Sequence, residues 1–354
     1  MPQRPRLIID EKRCRRNIER IVHKAARTST EFRPHFKTHQ SHEVGNWFRE
    51  AGVTGITVTS PEMAEYFVQD GWKDITIAFP FYPGMIKKLN TLSQNCAVRL
   101  FINSVEDLKM VHRQIKQPVS FYVELDAGYG RSGMPVSNPD AIHRLIQSAD
   151  SLDSVRFHGF YIHDGGTYRA RNRGEILKRI EGSLNALRLF KSEYPTSKTS
   201  LGDTPSASVL NSFEGLDECT PGNLVFYDRM QVAIGSCTPD DVALFAELPV
   251  AQVYEAQNRA MIHGGAVHLS KDSIEVGNKQ VYGQRISGYP DSVELIEGSI
   301  LTALSQEHGT LTGVEGLRAG DWITVMPIHS CLAANLFSHY ETLDGRIINK
   351  RVLS

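Results

Sequence analysis

The strongest constraint on this chain is a rhythm. From about residue 32 to about residue 225, short β-rich runs alternate with amphipathic stretches. The runs fall at 32–37, 55–59, 75–78, 97–102, 120–124, 157–161, 199–202 and 218–221. Between them, 41–51, 61–70, 105–116 and 175–194 carry apolar residues three and four apart, the period of a helix with one buried face. Ser60-Pro61 marks one helix start, with a hydroxyl at the cap, proline in the first turn and Glu62 beside it. About eight β/α units over roughly 200 residues predict an α/β protein built on a (β/α)8 TIM-type barrel. An open doubly wound sheet is the alternative, because periodicity does not show closure.

After about residue 240 the texture changes. The runs 250–262, 280–287, 321–327 and 336–352 read as strands separated by Gly, Asp and Asn turns. The expected division is a barrel over 11–240 and a β-rich domain made of 241–354 together with 1–10. The N-terminal strand Leu7-Ile8-Ile9 precedes the first helix and is free to pair with the second domain. No low-complexity linker separates the two, so they are expected to pack with a cleft. The 354 residues are 41% hydrophobic, enough for large cores. Thirty-nine Lys and Arg against 40 Asp and Glu leave a net charge of -1, without the basic excess of a nucleic-acid binder. No apolar run approaches the roughly 18 residues of a membrane span, and the first residues lack a signal-peptide pattern. Five scattered cysteines (14, 96, 219, 237 and 331) suit a reducing compartment. The expectation is a cytoplasmic protein with no membrane or nucleic-acid partner.

In a barrel, chemistry sits at the carboxyl ends of the strands. The first such end, Arg33-Pro34-His35-Phe36-Lys37-Thr38-His39, places Lys37 at the mouth. Lys37 reads either as an amine that forms a Schiff base or as a salt-bridged lysine at a strand end. The late turns Gly202-Asp203-Thr204-Pro205-Ser206 and Pro221-Gly222-Asn223 offer hydroxyls and backbone N–H groups where barrels often bind phosphate; ordinary turn punctuation reads the same way. A lysine on the first strand and a phosphate cup on the last two form the layout that pyridoxal phosphate needs. The fifth strand ends in Asp126-Ala127-Gly128-Tyr129-Gly130-Arg131-Ser132-Gly133, with an arginine on a glycine loop. The sixth ends in Tyr161-Ile162-His163-Asp164-Gly165-Gly166-Thr167-Tyr168. In the second domain, His329 and Cys331 stand two apart; on a strand both face the same way and reach one metal, with zinc favoured by imidazole and thiolate together. Two ligands fall short of a closed site, and a lone pair of this kind is more often structural.

Taken in order, these segments resemble the D-threonine aldolase/D-serine dehydratase family of pyridoxal-phosphate enzymes with the alanine-racemase-like fold, and the resemblance spans essentially the whole chain. It implies an alanine-racemase-like N-terminal barrel, a C-terminal β-rich domain and a homodimer. It implies that Lys37 holds pyridoxal 5'-phosphate and transfers a proton, and that Arg131 contacts the phenolate oxygen. Tyr161 and Tyr168 then line the cofactor, and Thr204, Gly222 and Asn223 bind its phosphate. His329 and Cys331 would hold a divalent metal at the substrate hydroxyl, zinc first, with manganese or magnesium as alternatives. His163 falls among the family's polar positions and is a candidate catalytic group. The implied activity is lysis of small D-β-hydroxy amino acids, by aldol cleavage or by dehydration; the cysteine of the His-x-Cys pair leans toward dehydration.

Two other functions compete. A racemase needs bases on both faces of the substrate plane, typically a lysine and a tyrosine. Here Met261-Ile262-His263-Gly264-Gly265-Ala266-Val267-His268 resembles the racemase glycine–tyrosine segment but has no tyrosine. A non-catalytic pyridoxal-phosphate carrier would need only the barrel, whereas this chain continues for about another 110 residues.

Overall fold

Eight parallel strands follow one another at the places where the β-rich runs lie: Glu31–Phe32, Ile56–Val58, Asp74–Pro80, Ala97–Phe101, Val119–Asp126, Val155–Ile162, Lys198–Leu201 and Glu218–Cys219. They come from a computed structural model that describes residues 4–351. Residues 1–3 and 352–354 of the expected second domain, among them the last residue of the predicted run 336–352, lie outside the described residues. The chain divides into two compact units, one of Glu19–Gly222 and one formed by the residues up to Ile18 together with those from Asn223 onward.

In the first unit the strands pair in chain order, and Glu218–Cys219 pairs with Glu31–Phe32. The remaining gap is closed by a parallel bridge between His35 and Thr57. Phe36 N donates to Thr57 O at 2.8 Å and Thr57 N to Pro34 O at 2.9 Å. The sheet is therefore a closed barrel, and the open-sheet alternative falls. The first strand is shorter than the expected 32–37, since Pro34 has no N–H to give to a ladder. Helices such as His42–Glu50, Pro61–Gln69, Val105–Gln114 and Arg173–Glu193 connect the strands. Their starts are capped as the sequence marks them: Ser60 Oγ accepts from Met63 N at 3.2 Å, and Ser104 Oγ from Asp107 N at 3.0 Å.

Toward the amino ends of the strands the barrel holds charge. Arg33 is fully buried and pairs with both carboxylate oxygens of Asp74, at 2.8 and 2.7 Å. Asp74 also binds Arg99. Glu218 stands 3.9 Å from Arg33 and accepts a hydrogen bond from Tyr122. Buried charges persist only when paired in this way.

In the second unit six antiparallel strands close on themselves. Their order is Arg259–His263, His308–Thr312, Glu294–Leu304, Gly283–Ser287, Trp322–Pro327 and Leu244–Tyr254, the last pairing back with the first. Arg6–Ile9 joins this sheet as expected, antiparallel to Leu244–Tyr254 and parallel to His339–Thr342. Two expected single strands differ. The run 250–262 is a hairpin that turns at Glu255–Gln257 and at Asn258, whose φ is 46°. The run 336–352 contains two strands, His339–Thr342 and Ile347–Asn349, and the helix Ser330–Leu336 precedes them.

Candidate active site

The barrel unit carries most of the expected site residues. Lys37 sits in the turn just after the closing bridge, and it is the one exposed residue between 32 and 41. Its backbone N donates to His35 Nδ1 at 3.4 Å. His35 is buried, which pushes its pKa well below the ordinary imidazole value, and the charges of Lys37, His163 and Arg131 push the same way. The turn packs against the last strand end. A Cβ on Gly222 would lie 2.5 Å from the His35 carbonyl and 3.0 Å from Thr38 Oγ1, so only glycine fits there.

His163 follows the strand Val155–Ile162, and its Nδ1 donates to the Gly202 carbonyl. That bond leaves Nε2 as the unprotonated nitrogen. Burial, then Arg131 and Lys37, lower its pKa to about 3, so the ring is neutral at pH 7. Tyr161 is buried, with its hydroxyl 3.2 Å from Thr220 Oγ1, and burial raises its pKa to about 12. Tyr168 accepts a hydrogen bond from Thr204 N at 3.3 Å. Arg131 rides on a loop in which Gly128, Gly130 and Gly133 take φ of 111°, 75° and 99°. Asp126 Oδ1 holds that loop by accepting from Gly128 N at 2.9 Å and Gly130 N at 3.0 Å. Arg131 Nη2 lies 3.8 Å from Glu124 Oε1.

Thr204 presents a hydroxyl that is buried with no hydrogen-bond partner among the described residues, and the Ser206 hydroxyl lies by the Asp203 carboxylate. Beside them Asp203 Oδ1 accepts from Ser206 N at 2.7 Å and from Thr167 Oγ1 at 3.0 Å. Burial pushes Asp203 up to about 7. An unmatched buried hydroxyl fits an anion with several acceptor oxygens. The barrel thus suits a phosphorylated aldehyde: an exposed amine, and a turn with an unsatisfied hydroxyl in the same unit. Reasoning from the sequence missed His35, Glu124 and Asp203, although each lies within a few residues of a strand end that it did single out.

The second unit holds the His-x-Cys pair and Asn223. The strand Trp322–Pro327 ends before the pair, so the strand argument for it does not hold. His329 is instead the cap of the helix Ser330–Leu336, and Cys331 lies in that helix's first turn. The two still meet. Burial alone would lower the pKa of His329; hydrogen bonds with Asp272 and Cys331 outweigh it and raise the value to about 11. His329 Nδ1 donates to Asp272 Oδ2 at 2.8 Å. A histidine whose Nδ1–H is held by a carboxylate presents its other nitrogen, the arrangement common behind metal-binding imidazoles. Asn223 Nδ2 donates to Asp228 Oδ2 at 2.7 Å and Ser330 Oγ at 2.9 Å, and lies 3.6 Å from Cys331 Sγ. Its side-chain amide is thus engaged beside the pair, while Asn223 Oδ1 is buried without a hydrogen-bond partner. Imidazole and thiolate are a donor set that suits zinc better than magnesium.

A closed (β/α)8 barrel with a lysine in the turn after its first strand, joined in one chain to an antiparallel β-barrel, defines the alanine-racemase-like class. The chain belongs to the family of the alanine racemase N-terminal domain, whose model matches residues 9–229. A second family model, described as "Putative serine dehydratase domain", matches residues 243–343. The chain is 26% identical to the D-serine dehydratase of Dictyostelium discoideum, over 98% of this chain and 95% of that one. It is 27% identical to the D-threo-3-hydroxyaspartate dehydratase of Delftia sp. (strain HT23), over 97% of this chain and 95% of that one. The solved structure of the Delftia enzyme superposes with a TM-score of 0.88 at 25% identity, covering 99% of this chain and 98% of that one. No helix of the described residues is long and apolar enough to cross a membrane.

Proposed function

We propose that the protein is a pyridoxal-phosphate-dependent, metal-assisted lyase of small D-β-hydroxy amino acids, and that it works as a dehydratase. The observation that carries this reading is the packing of the Lys37 turn against Gly222, which brings an exposed amine to the strand end next to the last βα turn. When bound, the cofactor supplies an electron-withdrawing ring next to the substrate's α-carbon. Lys37 would hold it through its amine, with Arg131 as partner of its phenolate oxygen and Tyr161 and Tyr168 as lining residues. Thr204 would give its unmatched hydroxyl to the phosphate, and Gly222 and Asn223 their backbone N–H groups. In the reaction Lys37 Nζ takes the proton from the substrate's Cα. His163, neutral and in one tautomer, orients a donor through Nε2; a pKa of about 3 makes it a positioning group rather than a proton store at pH 7.

His329 and Cys331 hold the divalent ion, zinc by their donor types, and Asp272 fixes the ring of His329. Such an ion would supply a Lewis acid for the departure of a hydroxyl group. Support for dehydration comes from the Cys331 donor and from the activities named for the two dehydratases to which the chain is similar. A cytoplasmic homodimer is part of the same reading, and a light-scattering mass of a single chain would remove the dimer.

The test is incubation with D-threonine, D-serine and D-threo-3-hydroxyaspartate while glycine, keto acid, ammonia and alanine enantiomers are assayed together. Keto acid and ammonia are expected. Glycine with an aldehyde would replace dehydration by aldol cleavage, and an inverted enantiomer would make the protein a racemase. Cofactor attachment is tested separately: borohydride should fix a yellow chromophore to the parent chain and not to Lys37→Ala.

A further inference from the structure

A third cluster of ligand-bearing side chains lies in the β-barrel unit, outside the groups assigned above. The strand Arg259–His263 pairs with His308–Thr312, with His263 directly opposite His308, so Glu307 sits one residue from the end of that ladder. The chain beyond His263 is laid along the 305–307 segment by backbone hydrogen bonds. Gly264 N donates to Glu307 O at 3.0 Å, Ala266 N to Ser305 O at 2.8 Å and Val267 N to Gln306 O at 3.1 Å. A Cβ on Gly265 would stand 2.4 Å from the Gln306 carbonyl, so this close approach requires glycine. The backbone thus fixes where three side chains meet.

His263 Nε2 lies 3.3 Å and His268 Nε2 3.8 Å from the same oxygen, Glu307 Oε2. One ligand atom from each of the three falls within 4.8 Å of the other two. Ligands about 2.0–2.1 Å from a tetrahedral zinc stand roughly 3.4 Å apart, so these spacings are those of a site needing only small side-chain adjustment. His263 Nε2 is within hydrogen-bond range of Glu307 Oε2, but His268 Nε2 at 3.8 Å is beyond it, so a hydrogen bond accounts for only one of the two contacts. The Nδ1 of His268 is buried without a hydrogen-bond partner, so Nε2 is the nitrogen this ring can offer. His263 and Glu307 are largely exposed, which leaves the remaining coordination position open to water.

We propose that His263, His268 and Glu307 form a divalent-metal site of zinc type, separate from His329 and Cys331, with two imidazoles, one carboxylate and an open position. The test is metal content per chain of the cofactor-loaded protein after dialysis against zinc, for the parent and four variants. One zinc equivalent should vanish in His263→Ala, in His268→Ala and in the surface variant Glu307→Gln, and should persist in Cys331→Ala. Cobalt(II) gives a second readout on an intact triad: Cys331→Ala loaded with cobalt should keep tetrahedral d–d absorption without thiolate charge transfer. Unchanged zinc content in His263→Ala and Glu307→Gln would overturn the site, as would a Cys331→Ala chain that binds no cobalt. Because Cys331→Ala removes only the His-x-Cys pair, failure of that pair as a metal site reads differently from failure of this one.

Discussion

A methyl group at residue 222 has nowhere to go, since it would meet the His35 backbone carbonyl at 2.5 Å. Gly222→Ala should therefore push the Lys37 turn off the last strand end. We expect a loss of about 1–3 kcal/mol in stability and a larger loss in cofactor retention, read by thermal unfolding and by absorbance after gel filtration. Asp203 and His163 make opposing contributions to pH dependence. The folded state raises Asp203 from 3.8 to about 7, so its contribution is full below pH 3.8 and is lost as pH rises toward 7. It lowers His163 from 6.5 to about 3, so that contribution is full above pH 6.5 and is lost as pH falls. Asp203→Asn removes the first and leaves the second. Between pH 4 and 6.5 the melting temperature of cofactor-free Asp203→Asn should rise with pH more steeply than that of the parent; an unchanged slope would refute the buried-carboxyl assignment. Lys37, Thr204 and Gly222 were legible in the sequence because each stands at the end of a periodic run. The buried state of Asp203 was not, because burial depends on what packs over the turn.

At the scale of elements, the cap of one helix decides the His-x-Cys pair. The sequence argument let His329 and Cys331 face one way only if the pair stood on a strand; the structure starts a helix at Ser330, and the pair converges by the turn of that helix. Asp272, 57 residues from His329, completes the arrangement. Asp272→Ala should weaken divalent-metal binding at this pair by roughly 10–100-fold, as loss of such outer partners does, measured by competition with a chromogenic chelator. An unchanged affinity would show that Asp272 does not orient the ring. The charged layer in the barrel makes a prediction of the same scale. Arg33→Ala leaves Asp74 and the buried Glu218 short of a cation and should cost about 3–5 kcal/mol, read from denaturant midpoints. The hairpin inside 250–262 was missed because Glu-Ala-Gln-Asn is a weak turn signal; only the left-handed Asn258 marks it.

Across the whole molecule, the two ends of the chain belong to one sheet. Leu7, Ile8 and Ile9 are almost completely buried, and Arg6–Ile9 lies between Leu244–Tyr254 and His339–Thr342. Burying each such side chain is worth about 1.5–3 kcal/mol, which for three approaches the whole stability of an ordinary domain. A chain that starts at residue 11 should therefore lose cooperative unfolding of the C-terminal β unit, seen by calorimetry as a missing or strongly lowered transition. The order of the barrel strands and the crowding of Lys37, Arg131, His163 and Gly222 at strand ends were determined by the sequence alone, since a repeated β/α period places every strand end on one face. Closure of the sheet through His35 and Thr57, the bond from Asp272 to His329, and the meeting of His263, His268 and Glu307 were decided only by the tertiary structure. Each joins residues whose separation carries no local period, and contacts of that kind are set by the register of distant strands rather than by the pattern of neighbours along the chain.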